Sequence, residues 1–141
     1  MDDVRSLLPH REPFLFIDRL ERSDEEGITA YRTFPDAEPF FAGHFPEYAE
    51  VRGGVRIGTM AQAGGAGSRQ GGDVGERLFF LASVEKARFR RQVRPNEECR
   101  VEVTNLRISD RMLRQSGKIY VGDELAAEAE WLCLVGDAPT Q

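Results

Sequence analysis

The residues from Gly53 to about Gln70, GGVRIGTMAQAGGAGSRQ, set Val55, Ile57, Met60 and Ala61 at a spacing that suits one apolar face of a helix. Yet Gly58, Gly64, Gly65 and Gly67 fall inside it, and in an exposed helix each glycine costs about 1 kcal/mol against alanine. A helix so composed is stable only where other elements pack closely on it, so burial has to supply what propensity does not. The rest of the chain must provide that cover.

It reads as strands. Leu78–Phe89, Arg100–Ile108, Leu113–Val121 and Leu125–Val135 are strand-like, and VEVTNLRI alternates apolar with polar residues as a sheet with one wet face does. Asn96-Glu97, Ser109-Asp110 and Gly122-Asp123 lie at the joins, where hairpin turns are predicted. Ahead of the helix, Asp2–Leu8 suits a short helix closed by Pro9, and Phe14–Leu20 and Gly27–Phe34 suit a pair of strands joined by the polar SDEE. GGDVG, from Gly71 to Gly75, is a flexible connection, and the tail GDAPTQ is expected to fray. The predicted order is helix, two strands, long central helix, four antiparallel strands. One helix cannot cover both faces of such a sheet, so the sheet should wrap round it and a second copy should bury what remains.

Length and charge bound the function. At 141 residues the chain is a single domain, 1–141. A net charge of -5 argues against general nucleic-acid affinity. No run reaches the roughly 18 to 20 apolar residues of a membrane span, and the acidic MDDVRSLLPHREP lacks a signal peptide's apolar core. A cytoplasmic protein without membrane partners is the expectation. Cys99 and Cys133 stand far apart with no partnering motif and read as buried, inert thiols; neither a metal nor another cofactor is implied.

Chemistry concentrates between Pro39 and Gln62. His44 is followed by Phe45-Pro46, which stiffens its backbone surroundings, and a histidine held on a rigid turn is a candidate general base; a hydrogen-bonded structural role is the alternative. Arg52-Gly53-Gly54 opens the helix, and glycines there let a ligand approach bare N–H groups. A carbonyl bound at those amides would lie near the imidazole.

HREPFLFIDR, AGHFPE, GGVRIGTMAQAGG, VEKARFRRQVRP and DELAAEAEWLCLV resemble, in order and spacing, the FabZ-type (3R)-hydroxyacyl-acyl carrier protein dehydratases over nearly the whole chain. The resemblance implies an α+β hotdog fold, a curved antiparallel sheet wrapped round one long central helix, in a homodimer or a trimer of dimers. It implies a fatty-acyl substrate held as a phosphopantetheine thioester on an acyl carrier protein. By the same resemblance His44 matches the histidine that acts on the substrate's α-proton and hydroxyl region, and Gly53 the glycine whose N–H polarises the thioester carbonyl. Removing a proton beside a carbonyl builds charge on oxygen, and an amide at a helix start can stabilise it. His10 matches a histidine without a catalytic role.

One departure stands out. The family places an acid on the central helix, contributed across the dimer, which helps expel the hydroxyl; here that position is Gly58, and no carboxylate lies between Glu50 and Asp73. General acid help is typically worth about 10² to 10⁴ in rate, so a weakened dehydratase is expected. Arg56 falls at a usually apolar position, either buried and paired, with Glu50 one partner, or facing solvent. Thr59 and Gln62 are the remaining polar side chains that can reach a pocket or else bond the backbone. Arg88, Arg90, Arg91 and Arg94 form a basic cluster that either docks an acidic carrier or is a solvated face. Three readings are open: an atypical dehydratase; a non-catalytic carrier-binding subunit whose partner supplies the acid; and a hotdog acyl thioesterase using Thr59 or Gln62. Gly58 discriminates between them.

Overall fold

In the computed structural model of the chain, residues 3–12, 14–35, 51–72 and 77–136 are described. A one-turn helix, α1 (Val4–Leu7), is capped by Asp3, whose carboxylate accepts from the Arg5 N–H at 2.8 Å. Two short strands, β1 (Arg19–Ser23) and β2 (Ile28–Thr33), precede the long helix α2 (Gly53–Gln70). Then come β3 (Leu78–Phe89), β4 (Glu98–Ile108), β5 (Met112–Val121) and β6 (Glu124–Gly136). All pairings are antiparallel, in the sheet order β1-β2-β4-β5-β6-β3.

The sheet curves round α2, which touches every one of its strands. Inner-facing Ile28, Val101, Leu113, Ile119 and Trp131 are buried on one side, and Met60, Ala63 and Ala66 meet them from the helix. The glycines are what make that approach possible. A methyl group on Gly64 would strike the Gln115 amide, one on Gly65 the Phe79 ring, and one on Gly67 would lie 2.5 Å from Ile28. The expected closely packed helix is therefore present over Gly53–Gln70, and the lost propensity is offset by side chains reaching its backbone.

Two expectations are corrected. The strand expected over Phe14–Leu20 begins only at Arg19, because the backbone ahead of it is taken by α2: Gln62 accepts from the Phe16 N–H at 2.8 Å and donates to the Phe14 carbonyl at 2.8 Å. Leu15 and Ile17 still enter the core, so an apolar run marks burial here without marking a sheet. The join at Asn96-Glu97 is not a hairpin, since β5 and β6 lie between β3 and β4. Asn96 takes φ 68°, and its N–H reaches across to the Phe34 carbonyl at 2.7 Å. Alternation shows that a segment is a strand but says nothing of which strand it pairs with.

β3 is an edge. One side pairs with β6, with register shifts between Leu81 and Ser83 and between Glu85 and Arg88. Its Phe80, Leu81 and Phe89 are 51 %, 46 % and 46 % exposed.

Candidate active site

The amides at the start of α2 have no partner inside the helix. The first helical bond runs from the Arg56 N–H to the Arg52 carbonyl at 3.0 Å, so the N–H groups of Gly53, Gly54 and Val55 precede it. Arg52 at the cap makes no side-chain capping bond. Gly53 is half-buried because Phe89 lies on it, and a methyl group there would be 2.7 Å from the ring's Cζ. Among the described residues nothing lies within 4 Å of where a methyl group on Gly54 would stand. Among the described residues the arrangement is a helix N-terminus with donors and one aromatic wall, which suits the oxygen of a carbonyl or an enolate.

Arg56, one turn in, is buried at 5 % exposure. Its Nε–H donates to the Val51 carbonyl at 3.0 Å, and Nη1 donates to the carbonyls of Arg91 at 2.8 Å and Ala126 at 3.3 Å. Its guanidinium carbon sits 4.9 Å from the centre of the Phe89 ring. Of the two settings open to Arg56 from sequence, the structure has the buried one, and backbone carbonyls of three segments hold the charge there.

Gly58 faces Phe16. A methyl group at Gly58 would lie 3.2 Å from one ring carbon and 3.3 Å from its neighbour, tighter than ordinary contact. Phe16 is held by the Gln62 bond and by Phe34, whose ring centre is 6.3 Å away. Thr59 is fully buried, and its hydroxyl donates to the Val55 carbonyl at 2.7 Å, a bond within the helix. Gln62 spends both polar atoms on the 14–16 backbone. His44, Glu50 and Asp73 lie outside the described residues.

The basic cluster divides. Arg88 is exposed and opposite Glu128 in the β3–β6 register, while Arg90 donates to Glu128 at 2.7 Å and holds that carboxyl below the usual range. Arg91 donates to both oxygens of Glu97 at 3.1 and 2.9 Å, and the Arg94 N–H donates to the same carboxylate at 2.8 Å. Burial raises the Glu97 pKa, but these two partners outweigh it and hold the group ionised below its usual range. Burial pushes the Cys99 thiol up to about 12 and the Cys133 thiol to about 11, which keeps both inert at neutral pH. It lowers the His10 pKa. Among the described residues no cluster of three His, Cys, Asp or Glu side chains suits a metal, and no helix is long and apolar enough to cross a membrane.

Phe89 and Phe16, which shape both glycine positions, carry no signal in the sequence. The glycines announce that something approaches the helix, but not what.

A curved antiparallel sheet wrapped on one buried helix, with a glycine-led helix start at its rim, defines the hotdog class of proteins. Solved structures agree. The chain superposes on the dehydratase heterocomplex ApeI:P of Xenorhabdus doucetiae with a TM-score of 0.85 over 97 % of this chain and 93 % of that one, at 16 % identity. It superposes on a hypothetical thioesterase of Streptococcus pneumoniae solved with coenzyme A with a TM-score of 0.66 over 86 % and 88 %, at 8 % identity. Residues 8–130 match the FabA-like domain family. The FabZ 3-hydroxyacyl-[acyl-carrier-protein] dehydratase of Desulforamulus reducens is 39 % identical over 94 % of each chain, and that of Koribacter versatilis 38 % identical over 99 % of this chain and 90 % of its own. The chain belongs to the FabZ-type family of hotdog dehydratases.

Proposed function

We propose that this protein is a lyase that removes water from a 3-hydroxyacyl thioester carried on the phosphopantetheine arm of an acyl carrier protein. The observation that carries the reading is the glycine-led start of α2 under Phe89, in a chain of FabZ type. In the proposed reaction His44 takes a proton from C2 and the electron pair moves onto the thioester oxygen. The Gly53 N–H steadies that oxygen; the pair then returns to form the C2–C3 double bond as the C3–O bond breaks, and the hydroxyl leaves as water with a proton from solvent. The reaction needs no metal or other cofactor. Arg88, opposite Glu128, and Arg90, bonded to it, are the proposed docking charges for an acidic carrier; Arg91 and Arg94 belong to the same strip through Glu97.

The acting form is proposed to be a homodimer joined along β3, whose exposed Phe80, Leu81 and Phe89 and open backbone edge suit a second copy; trimers of such dimers are compatible with that edge. The protein's place is proposed to be the cytoplasm.

One observation favours a second reading. No carboxylate stands on α2, and Phe16 presses on Gly58, where the family resemblance puts the acid. A subunit that binds the carrier while a different hotdog partner supplies the acid fits this, and the neighbour that superposes with a TM-score of 0.85 is itself described as a dehydratase heterocomplex. Thioester hydrolysis through Thr59 or Gln62 has no comparable support.

Purified protein given a 3-hydroxyacyl carrier substrate is expected to form the 2-enoyl product slowly, and His44→Ala to abolish it. Carrier binding without turnover in the unmodified protein would select the second reading. Release of free thiol would select hydrolysis.

A further inference from the structure

α2 begins in a way that ought to leave its first amides poorly aimed. Two glycines in succession have wide backbone freedom, and Arg52 supplies no capping bond. A donor that must meet a developing oxyanion is useful only if its direction is fixed before the reaction. Something other than a cap has to fix it.

Arg56 occupies that place. Its fork joins the Val51 carbonyl, two residues before Gly53, to the Arg91 carbonyl beyond β3 and the Ala126 carbonyl on β6. The face of the Phe89 ring carries the guanidinium, and the ring's outer carbons meet Gly53. The chain entering the helix, the end of the edge strand and the ring covering Gly53 are thus held by one side chain that is itself 5 % exposed. The peptide at Val51 is fixed further by its N–H, which donates to the Val93 carbonyl at 2.7 Å.

The geometry points to Arg56 as the positioning residue of the Gly53 oxyanion donor, doing from inside the helix what a cap does elsewhere. This rests on the dehydratase reading and adds to it a role for a residue that touches no substrate atom. It applies to any enolising acyl thioester. The C2–H bond breaks, the proton passes to the base and the electron pair enters the C1–C2 bond as the thioester oxygen becomes anionic; in heavy water the same carbon takes back a deuteron.

The test uses the full chain and a saturated acyl pantetheine thioester, which has no hydroxyl to lose. Three quantities are read: deuterium entry at C2, the Kd of the thioester, and the infrared stretch of its ¹³C-labelled carbonyl when bound. In Arg56→Met and Arg56→Lys, deuterium entry is expected to fall about 10-fold or more, while Kd changes by less than about 3-fold and the bound carbonyl stretch returns toward its value in water; losing an oxyanion donor outright costs about 10² to 10³. Lysine is included because a single ammonium cannot make the fork. Added methylguanidinium is expected to restore part of the exchange in Arg56→Ala. Unchanged exchange and stretch in a folded variant would overturn the role, as would exchange, affinity and melting temperature declining together, which marks a merely structural arginine. If the arginine variants do not fold, Phe89→Leu leaves Arg56 in place and takes the ring off Gly53. Its carbonyl stretch is then expected to move with little change in Kd, and no movement would overturn the role. Absence of both exchange and thioester binding in the unmodified protein would remove the dehydratase reading itself, and Arg56's role with it.

Discussion

Gln115 is fully buried at the centre of the sheet, and its amide is used on all sides. Its oxygen accepts from the Trp131 indole at 3.1 Å; its nitrogen lies 3.2 Å from the Gly64 carbonyl, 3.2 Å from the Ser68 hydroxyl and 2.7 Å from the Asn105 side-chain oxygen. Gly64 is a glycine because that amide needs its space. Gln115→Ala would open a cavity and strip the indole N–H of its acceptor, and is expected to cost about 3 kcal/mol in denaturant unfolding. His10 acts on stability through pH. Burial lowers its pKa below 6.5, so the unfolded chain takes up its proton first as pH falls. The His10 contribution is then whole above about pH 6.5 and shrinks below it. Melting temperature is expected to decline as pH falls below about 6.5, and less so in His10→Gln; Glu97 and Glu128, whose pKa values lie below the usual 4.5, bring in a further loss only at lower pH.

At the scale of the element, α2 is a backbone rod that other side chains use as a surface, and Gly58 bears the consequence. Restoring an acid by Gly58→Glu would look like a simple repair from sequence, but its Cβ meets Phe16, which Gln62 and Phe34 hold in place. Gly58→Glu alone is therefore expected to gain little dehydration and to lower the melting temperature. Gly58→Glu with Phe16→Leu is expected to gain an order of magnitude or more in kcat, within what general acid help supplies. Equal rates in the single and double variants would show that Phe16 is not what obstructs the position.

At the scale of the molecule, the β3 edge is a matter of surface. Phe80, Leu81 and Phe89 along an unpaired strand edge are an aggregation hazard unless covered. Light scattering is expected to give a dimer for the unmodified chain and a shift toward monomer for Leu81→Lys, with loss of turnover at the same time. A monomer in both would remove the proposed assembly. The basic strip at the end of the same strand answers to charge instead: carrier affinity is expected to fall steeply with salt and to fall in Arg88→Glu, whereas a solvated face would show neither effect.

Much of this was legible in the residues themselves. Four of the strands and the extent of α2 come from periodicity, because side-chain alternation and helical spacing are local. The glycines required close packing on the helix, and GGVRIGTMAQ placed Gly53 at its start. What was not legible was every fact that depends on which element arrives where: that β3 pairs with β6 and not β4, that Gln62 draws the 14–16 segment out of the sheet, and that Phe89, Arg56 and Phe16 gather at the two glycines. The sequence by itself determined a buried glycine helix under a curved antiparallel sheet, since nothing else could stabilise such a helix in water. Only the tertiary structure decided who fills the glycines' space, because a missing side chain specifies an absence of atoms, and the atoms that enter it come from residues tens of positions away.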